Sequence, residues 1–304
     1  MEIANRYIIA DLEIIVSFEE NQSNGCHLMP SYEPFRATEE VFAECGDTLF
    51  RLHVDDNLRP LPKQTLTRIK DVDTGNGITI VDHAEDGGYQ FIVKDVAGGS
   101  CCLLQTDNAF QMCRCALNGT ETMRMFGLNN ALMLLFAFAG CKRDVLLVHA
   151  SLVRLDGWGY AFTAKSGTGK STHTSLWLRH IPGSDLMNDD NPVIRIVDGL
   201  PYIYGSPWSG KTPCYRNVKA RLGAMVGLKR DETNHVEPAT TIEAFSTLIT
   251  ACSTMKWDSS IVDNICRTIT KIIETTPNYT LYCRPDKEAA IICRKAIARN
   301  GKSS

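Results

Sequence analysis

Two glycine-lysine loops in this chain have the residue types to bind phosphate. Gly205-Ser206-Pro207-Trp208-Ser209-Gly210-Lys211-Thr212 fits the pattern G-x-x-x-x-G-K-[ST] at every fixed position. Ala164-Lys165-Ser166-Gly167-Thr168-Gly169-Lys170-Ser171 lacks the first glycine. The pattern works only where a strand feeds the loop and a helix leaves it, so that backbone amides and the positive helix end face the phosphates. Gly159-Tyr160-Ala161-Phe162-Thr163 reads as a strand, and residues 171–179 read as a helix with Leu176 and Trp177 inward. The second loop has Pro207 in its middle, without an N–H to donate, and Pro213 directly after Thr212. Proline biases the residue before it toward extended backbone, which makes Thr212 a poor helix start. The imperfect match therefore ranks first.

In that first loop Ser166, Gly167, Thr168, Gly169, Lys170, Ser171 and Thr172 form the candidate nucleotide cradle. Lys170 would reach the β and γ phosphates of ATP, and the Ser171 hydroxyl would sit on Mg²⁺. Ala164 is tolerable in place of glycine if its φ is negative. Phosphoryl transfer to a hydroxyl also needs a proton acceptor, a metal ligand and positive charge for the developing oxyanions. Asp189 and Asp190 lie 19 and 20 residues past Lys170, after a short apolar segment. That spacing suits a helix followed by a strand whose tip stands beside the loop. Asp189 is read as the base and Asp190 as the metal holder. His149, 21 residues before Lys170, lies on the strand that pairs with the loop's own strand and completes the catalytic candidates. Lys211, Arg216 and Arg284 are candidate charge stabilisers, the first two as substrate contacts. Trp208 reads first as packing.

These residues need elements to hold them. The first third is β-rich: the apolar run Tyr7 to Phe18, alternation over Thr48–Val54, and strands at 78–81 and 89–93 around Asp86-Gly87-Gly88. Residues 1–118 read as a small antiparallel subdomain, and 119–304 as the domain carrying the loop. Thr120 caps a long apolar helix to about Gly140. Leu146 to Val153 is a strand, and Asp156-Gly157 turns it into the strand before the loop. A hairpin there, rather than a helical crossover, implies a mixed sheet. Asp198-Gly199 marks a further hairpin. The C-terminal third is largely helical, with a capping box at Thr240 and Glu243.

Composition bounds the rest. The chain has 304 residues, 44% hydrophobic and 22% charged, enough for a sizeable globular core. A formal net charge of −3 argues against non-specific nucleic-acid binding. The short basic runs, Lys142-Arg143, Lys229-Arg230 and Arg294-Lys295, read as solvated faces. Twelve scattered cysteines without a C-x-x-C pair read as buried free thiols in a reducing compartment. The longest apolar run, Ala131 to Cys141, is about half a membrane span. Met1 to Arg6 carries one acid and one base, not a signal peptide's basic cluster. The expectation is a cytoplasmic protein with no membrane partner.

Val148-His149-Ala150, Ser166 to Ser171 and Asn188-Asp189-Asp190, in that order and at those gaps, resemble the HPr kinase/phosphorylase group, which is structurally allied to ATP-dependent phosphoenolpyruvate carboxykinases. The resemblance covers about residues 145–220. It implies the carboxykinase-type α/β phosphate-loop fold, a mixed sheet with helices outside. It also implies His149, Asp189 and Asp190 at the reaction centre, with ATP and Mg²⁺ as cofactors, and it allows a homo-oligomer. The glutamate-bearing signature of bacterial HPr kinases has no acid at the corresponding 204–211 here. The implied acceptor is then another serine-like hydroxyl, on a small molecule, peptide or protein. Two other activities share the motif set: a carboxykinase-type decarboxylation or carboxylation, and non-catalytic nucleotide binding.

Overall fold

The computed structural model of the chain describes residues 2–19, 23–37, 48–165, 167–210 and 212–299. Contacts divide the chain into two compact units, Met1–Gly140 and Cys141–Ser304. Both are mixed α/β.

The first unit opens with a hairpin, β1 (Glu2–Ile9) and β2 (Leu12–Glu19). Its two turn residues, Ala10 and Asp11, both have positive φ, at 51° and 58°. Such two-residue turns match the twist of the strands they join. Neither residue is Gly or Asn, so the turn is invisible within the apolar run 7–18. Next, β3 (Thr48–Val54) pairs parallel with β2. Four antiparallel strands follow: β4 (Leu66–Asp73), β5 (Gly77–Ala84), β6 (Tyr89–Asp95) and β7 (Ser100–Thr106). β8 (Met112–Leu117) then pairs with β7 and lies parallel to β3. The order is β1-β2-β3-β8-β7-β6-β5-β4. The expected antiparallel sheet is therefore mixed, because the whole meander lies within the connection from β3 to β8 and returns the chain in its original direction.

The helix α1 (Glu121–Gly140) starts where Thr120 Oγ1 accepts the Met123 N–H at 3.3 Å. It packs on β3, β6, β7 and β8, so it belongs with the first unit, although a boundary at 118/119 hands it to the second. The segment Glu121–Arg143 is long and apolar enough to cross a bilayer. Leu128, Ala131, Leu132 and Leu135 bury one face, and Leu135 to Gly140 are buried in succession, as in a core helix. Cys113 and Cys115 share a buried face of β8, and the cysteines among the described residues are free thiols.

The second unit is built on a nine-stranded sheet. Its first strands are β9 (Val145–Leu147), β10 (Ala150–Leu155) and β11 (Trp158–Thr163). After the helix α2 (Lys170–His180) come β12 (Asp185–Asp190), β13 (Val193–Val197), β14 (Leu200–Tyr204) and β15 (Lys219–Arg230). The path is β12-β10-β11-β15-β14-β13-β9. β16 (His235–Pro238) and β17 (Asn278–Cys283) add to it, with β17 parallel to β15. β10 and β11 form the expected hairpin, and β11 runs parallel to β15, so the loop's strand has one neighbour of each sense. The run 146–153 is two strands, interrupted at Val148-His149.

Three helices complete the unit: α3 (Thr241–Ala251), α4 (Ser259–Thr275) and α5 (Lys287–Ile297). The capping box at Thr240 and Glu243 forms, with reciprocal bonds of 3.3 and 2.9 Å. α4 packs on β9, β13 and β14. A core of Val153, Tyr160, Phe162, Val226, Leu281 and Cys293 surrounds Trp177, whose ring centroid lies 5.5 Å from those of Tyr160 and Phe162. Trp177 therefore anchors the helix that follows the glycine loop. Trp177→Ala should cost the second unit about 3–5 kcal/mol. Ile242→Ala, at a side chain 82% exposed, should stay within about 0.5 kcal/mol. Urea midpoints measure both, and equal shifts would show that Trp177 is not the anchor.

Candidate functional site

Strand register assembles the site. Ala150, first in β10, pairs with Thr163, last in β11, and with Asp190, last in β12. The end of the loop's strand, the residue after His149 and the second acid thus lie in one row. The chain crosses between the two ends of the sheet at Val148-His149 and again at Asn191-Pro192. These crossings are tied where Val148 N–H donates to Pro192 O at 3.1 Å. The His149 N–H donates to Ala251 O at 2.8 Å, satisfying a carbonyl at the end of α3.

Between β11 and α2 the backbone turns through Gly167 and Gly169, with φ of 74° and 119°. Only glycine enters that region without strain. Gly169 is the residue before α2, so no side chain caps the helix and its first-turn amides are left to other acceptors. Ala164 keeps a negative φ, which its methyl requires. Ser171 and Thr172 lie exposed on the first turn of α2. Ser166, placed in the cradle on sequence grounds, lies outside the described residues.

Lys170 is buried, at 9% exposure. Its Nζ lies 2.9 Å from His149 Nε2 and 3.4 Å from Ala164 O. His149 Nδ1 in turn lies 3.0 Å from Asp190 Oδ1. Lysine, imidazole and carboxylate form one chain. Burial pushes the Lys170 pKa down, and the charges of Asp190 and Asp189 only partly oppose that. Asp189 is 4% exposed and accepts from Ser151 Oγ at 2.5 Å through Oδ1. Asp190 is about one-third exposed, and its Oδ2 accepts from Asn191 Nδ2 at 2.7 Å. The adjacent acids thus have different surroundings.

The second glycine-lysine loop has another place. No helix follows it, and it runs against the acid pair. Ser209 bridges Asp190, and Gly210 N–H donates to Asp189 O at 2.9 Å. A side chain at Gly210 would meet Asp189 O at 2.8 Å, and one at Gly205 would meet Arg216 O at 2.1 Å. These glycines serve close packing. Buried Asn188 links the two segments. Its Oδ1 accepts from the N–H groups of Asp190 and Asn191 at 3.0 and 2.9 Å, and its Nδ2 donates to Ser206 Oγ and Trp208 O, both at 3.1 Å. Trp208 is packed, at 2% exposure. Lys211 lies outside the described residues. Arg216 pairs with Asp185 at 2.8 Å, at the opposite end of β12 from the acid pair. Arg154 binds the same carboxylate through two bonds of 3.0 Å.

Two clefts flank the first loop. One, of about 490 Å³, lies between α2 and the residues after β17, with His173, Leu176 and Arg284 in its wall. The other, of about 1030 Å³, lies between the loop and α3 and includes His149, Lys165 and Thr250. Arg230, which the sequence places on a solvated face, borders both and touches the loop. No local pattern signals that role, because the β11–β15 pairing that creates it spans about 60 residues.

Among the described residues no three His, Cys, Asp or Glu side chains converge as a metal cage. Ser171 and Asp190 offer oxygen donors, the type Mg²⁺ takes in small number when it arrives with phosphates and water. The donor chemistry therefore fits an ion carried by a nucleotide.

No family model matches this chain, and no curated protein matches it. Among solved structures, the Hpr(Ser) kinase/phosphatase from Coxiella burnetii is similar, with a TM-score of 0.28 and 12% identity over 49% of this chain and 89% of that one. At that distance the likeness assigns no residue a role.

His173, one turn into α2, is 3% exposed. Its Nε2 accepts from Trp177 Nε1 at 3.1 Å. Burial pushes its pKa from 6.5 down to about 4. Between those values the unfolded chain is protonated at this position and the folded chain is not. Stability contributed here is complete above pH 6.5 and is lost as pH falls toward 4. The loss amounts to about 3 kcal/mol. His173→Gln should flatten that limb of the stability curve, read from urea midpoints across the window. An unchanged slope would mean that this imidazole titrates as if exposed.

Proposed function

We propose that the second unit is an ATP-dependent phosphotransferase whose acceptor is a hydroxyl. The observation that carries the reading is the chain from buried Lys170 through half-exposed His149 to Asp190, at the start of an uncapped helix entered through two positive-φ glycines. A buried cation beside open first-turn amides is what a polyphosphate requires. In this reading the amides of Gly169, Lys170 and Ser171 hold phosphate oxygens. Lys170 turns its Nζ from His149 toward the transferring phosphoryl group.

The acid pair divides the remaining work. Asp190, the more exposed, holds Mg²⁺ together with Ser171; the ion neutralises phosphate charge when bound. Asp189 takes the proton of the acceptor hydroxyl. Its Oδ1 is committed to Ser151, while Oδ2 takes no hydrogen bond among the described residues. The hydroxyl oxygen forms the new bond to phosphorus as the bond to the leaving ADP oxygen breaks, and the proton passes to Asp189. His149 orients Asp190 and holds the Lys170 Nζ before nucleotide enters. A cytoplasmic setting and a serine-like acceptor on a small molecule, peptide or protein belong to the same proposal.

ATP consumption screened over hydroxy metabolites and serine peptides tests the reading. Lys170→Ala and Asp189→Asn should each lower turnover at least about 100-fold, with nucleotide affinity lost only in the lysine variant. Full turnover by Lys170→Ala would refute the cradle. Equal loss of nucleotide affinity in both variants would refute the division of roles.

A further inference from the structure

The loop before α2 is pliable by composition. Gly167 and Gly169 flank Thr168, and among the described residues, chain neighbours aside, nothing lies within 4 Å of where a side chain on Gly167 would begin. Glycine backbone turns freely, so the peptide planes on either side of Thr168 are held within the loop only by the Thr168 N–H on Lys165 O. A phosphate cradle needs those planes fixed, because amides that must be ordered on binding give up affinity.

Arg230 supplies a restraint from outside the loop. Its Nη2 donates to Gly167 O at 2.7 Å and its Nε to Thr168 O at 3.4 Å. β15 runs parallel to β11 with Gly227 opposite Thr163, so Arg230, three residues on, lies over the loop. In a trans peptide the N–H points opposite to its carbonyl. Turning both carbonyls toward the guanidinium therefore turns the N–H groups of Thr168 and Gly169 away from it. The Thr168 N–H meets Lys165 O at 3.1 Å. The Gly169 N–H is aimed to the side opposite Arg230.

We propose that Arg230 is a positioning residue for the phosphate loop. Its planar fork fixes the plane after Gly167, whose Thr168 N–H closes the loop on Lys165 O, and the plane after Thr168, whose Gly169 N–H is left to face a polyphosphate. The role presupposes the phosphate-binding reading of that loop and adds a residue outside it. A fork holding two carbonyls depends on geometry and not on charge alone, so lysine is no substitute.

The full chain, titrated calorimetrically with Mg·ADP and separately with inorganic tripolyphosphate, tests this in Arg230→Lys, Arg230→Ala and Lys170→Ala. Both Arg230 variants should bind each probe about tenfold more weakly. Their Gly167–Lys170 amides should exchange hydrogen faster without ligand, while the urea midpoint stays put. Methylguanidinium should restore binding to Arg230→Ala, and methylammonium should not. Wild-type affinity in Arg230→Lys would overturn the proposal, since Arg230 would then act as a point charge. Unchanged binding in Arg230→Ala with binding lost in Lys170→Ala would sink the positioning role and leave the cradle standing. Unchanged binding in Lys170→Ala as well would sink the cradle itself.

Discussion

The double pairing of Ala150, with Thr163 on one side and Asp190 on the other, is the constraint on which the candidate site depends. It aligns the start of the glycine loop, His149 and the acid pair across three strands. A one-residue slip in a strand would send every side chain to the opposite face. The register is therefore held from outside as well as by the ladder. Asn188 bonds the backbone of Asp190 and Asn191 on one side and Ser206 and Trp208 on the other. Val148 ties one crossing of the sheet to the other through Pro192.

The two glycine-lysine loops show how one motif can serve two physical ends. In the first, Gly167 and Gly169 occupy left-handed backbone with open space around the loop, so glycine is there for its dihedral angles. In the second, Gly205 and Gly210 stand where backbone carbonyls leave no room for a Cβ, so glycine is there for its size. The second loop braces the acids from behind, and Arg216 is spent on Asp185. Matching the consensus at every letter carries less information than the elements on either side of it. Thr163 ends a strand and Lys170 begins a helix, whereas after Thr212 the chain runs irregularly to Lys219.

Much of this was legible from local pattern. The turn at Asp156-Gly157 shows itself in its residues, and with it the hairpin that makes the sheet mixed. The inward set of Leu176 and Trp177 and the capping box at Thr240 follow from spacing alone. The centre of the sheet is not legible in that way. β15 carries Ala220, Gly223, Ala224 and Gly227, residues poor in strand propensity, and at Gly223 a neighbouring ring leaves no room for more. A Cβ on Gly223 would lie 2.9 Å from the Tyr160 ring. Tertiary packing chose those residues, and it hid both the strand and the arginine at its end. The hairpin at Ala10-Asp11 was hidden for a different reason: its positive φ angles fall on residues that do not advertise them.

Electrostatics gives the candidate site a direction. Lys170 is drawn out of water by the packing of α2, and its two near partners, an imidazole nitrogen and the Ala164 carbonyl, carry no full negative charge. The carboxylates of Asp189 and Asp190 act on it through space, and they offset the desolvation only in part. A cation in that state gains from any anion delivered to its ammonium, and gains more than an exposed lysine would, because water competes less. The same carboxylates oppose an anion that settles against them. The site is thus most favourable to a ligand whose negative charge is concentrated at the helix start and whose approach to the acids is neutral or bridged by a cation. A polyphosphate paired with a divalent ion and meeting an uncharged hydroxyl has that distribution; a free dicarboxylate beside Asp189 and Asp190 does not.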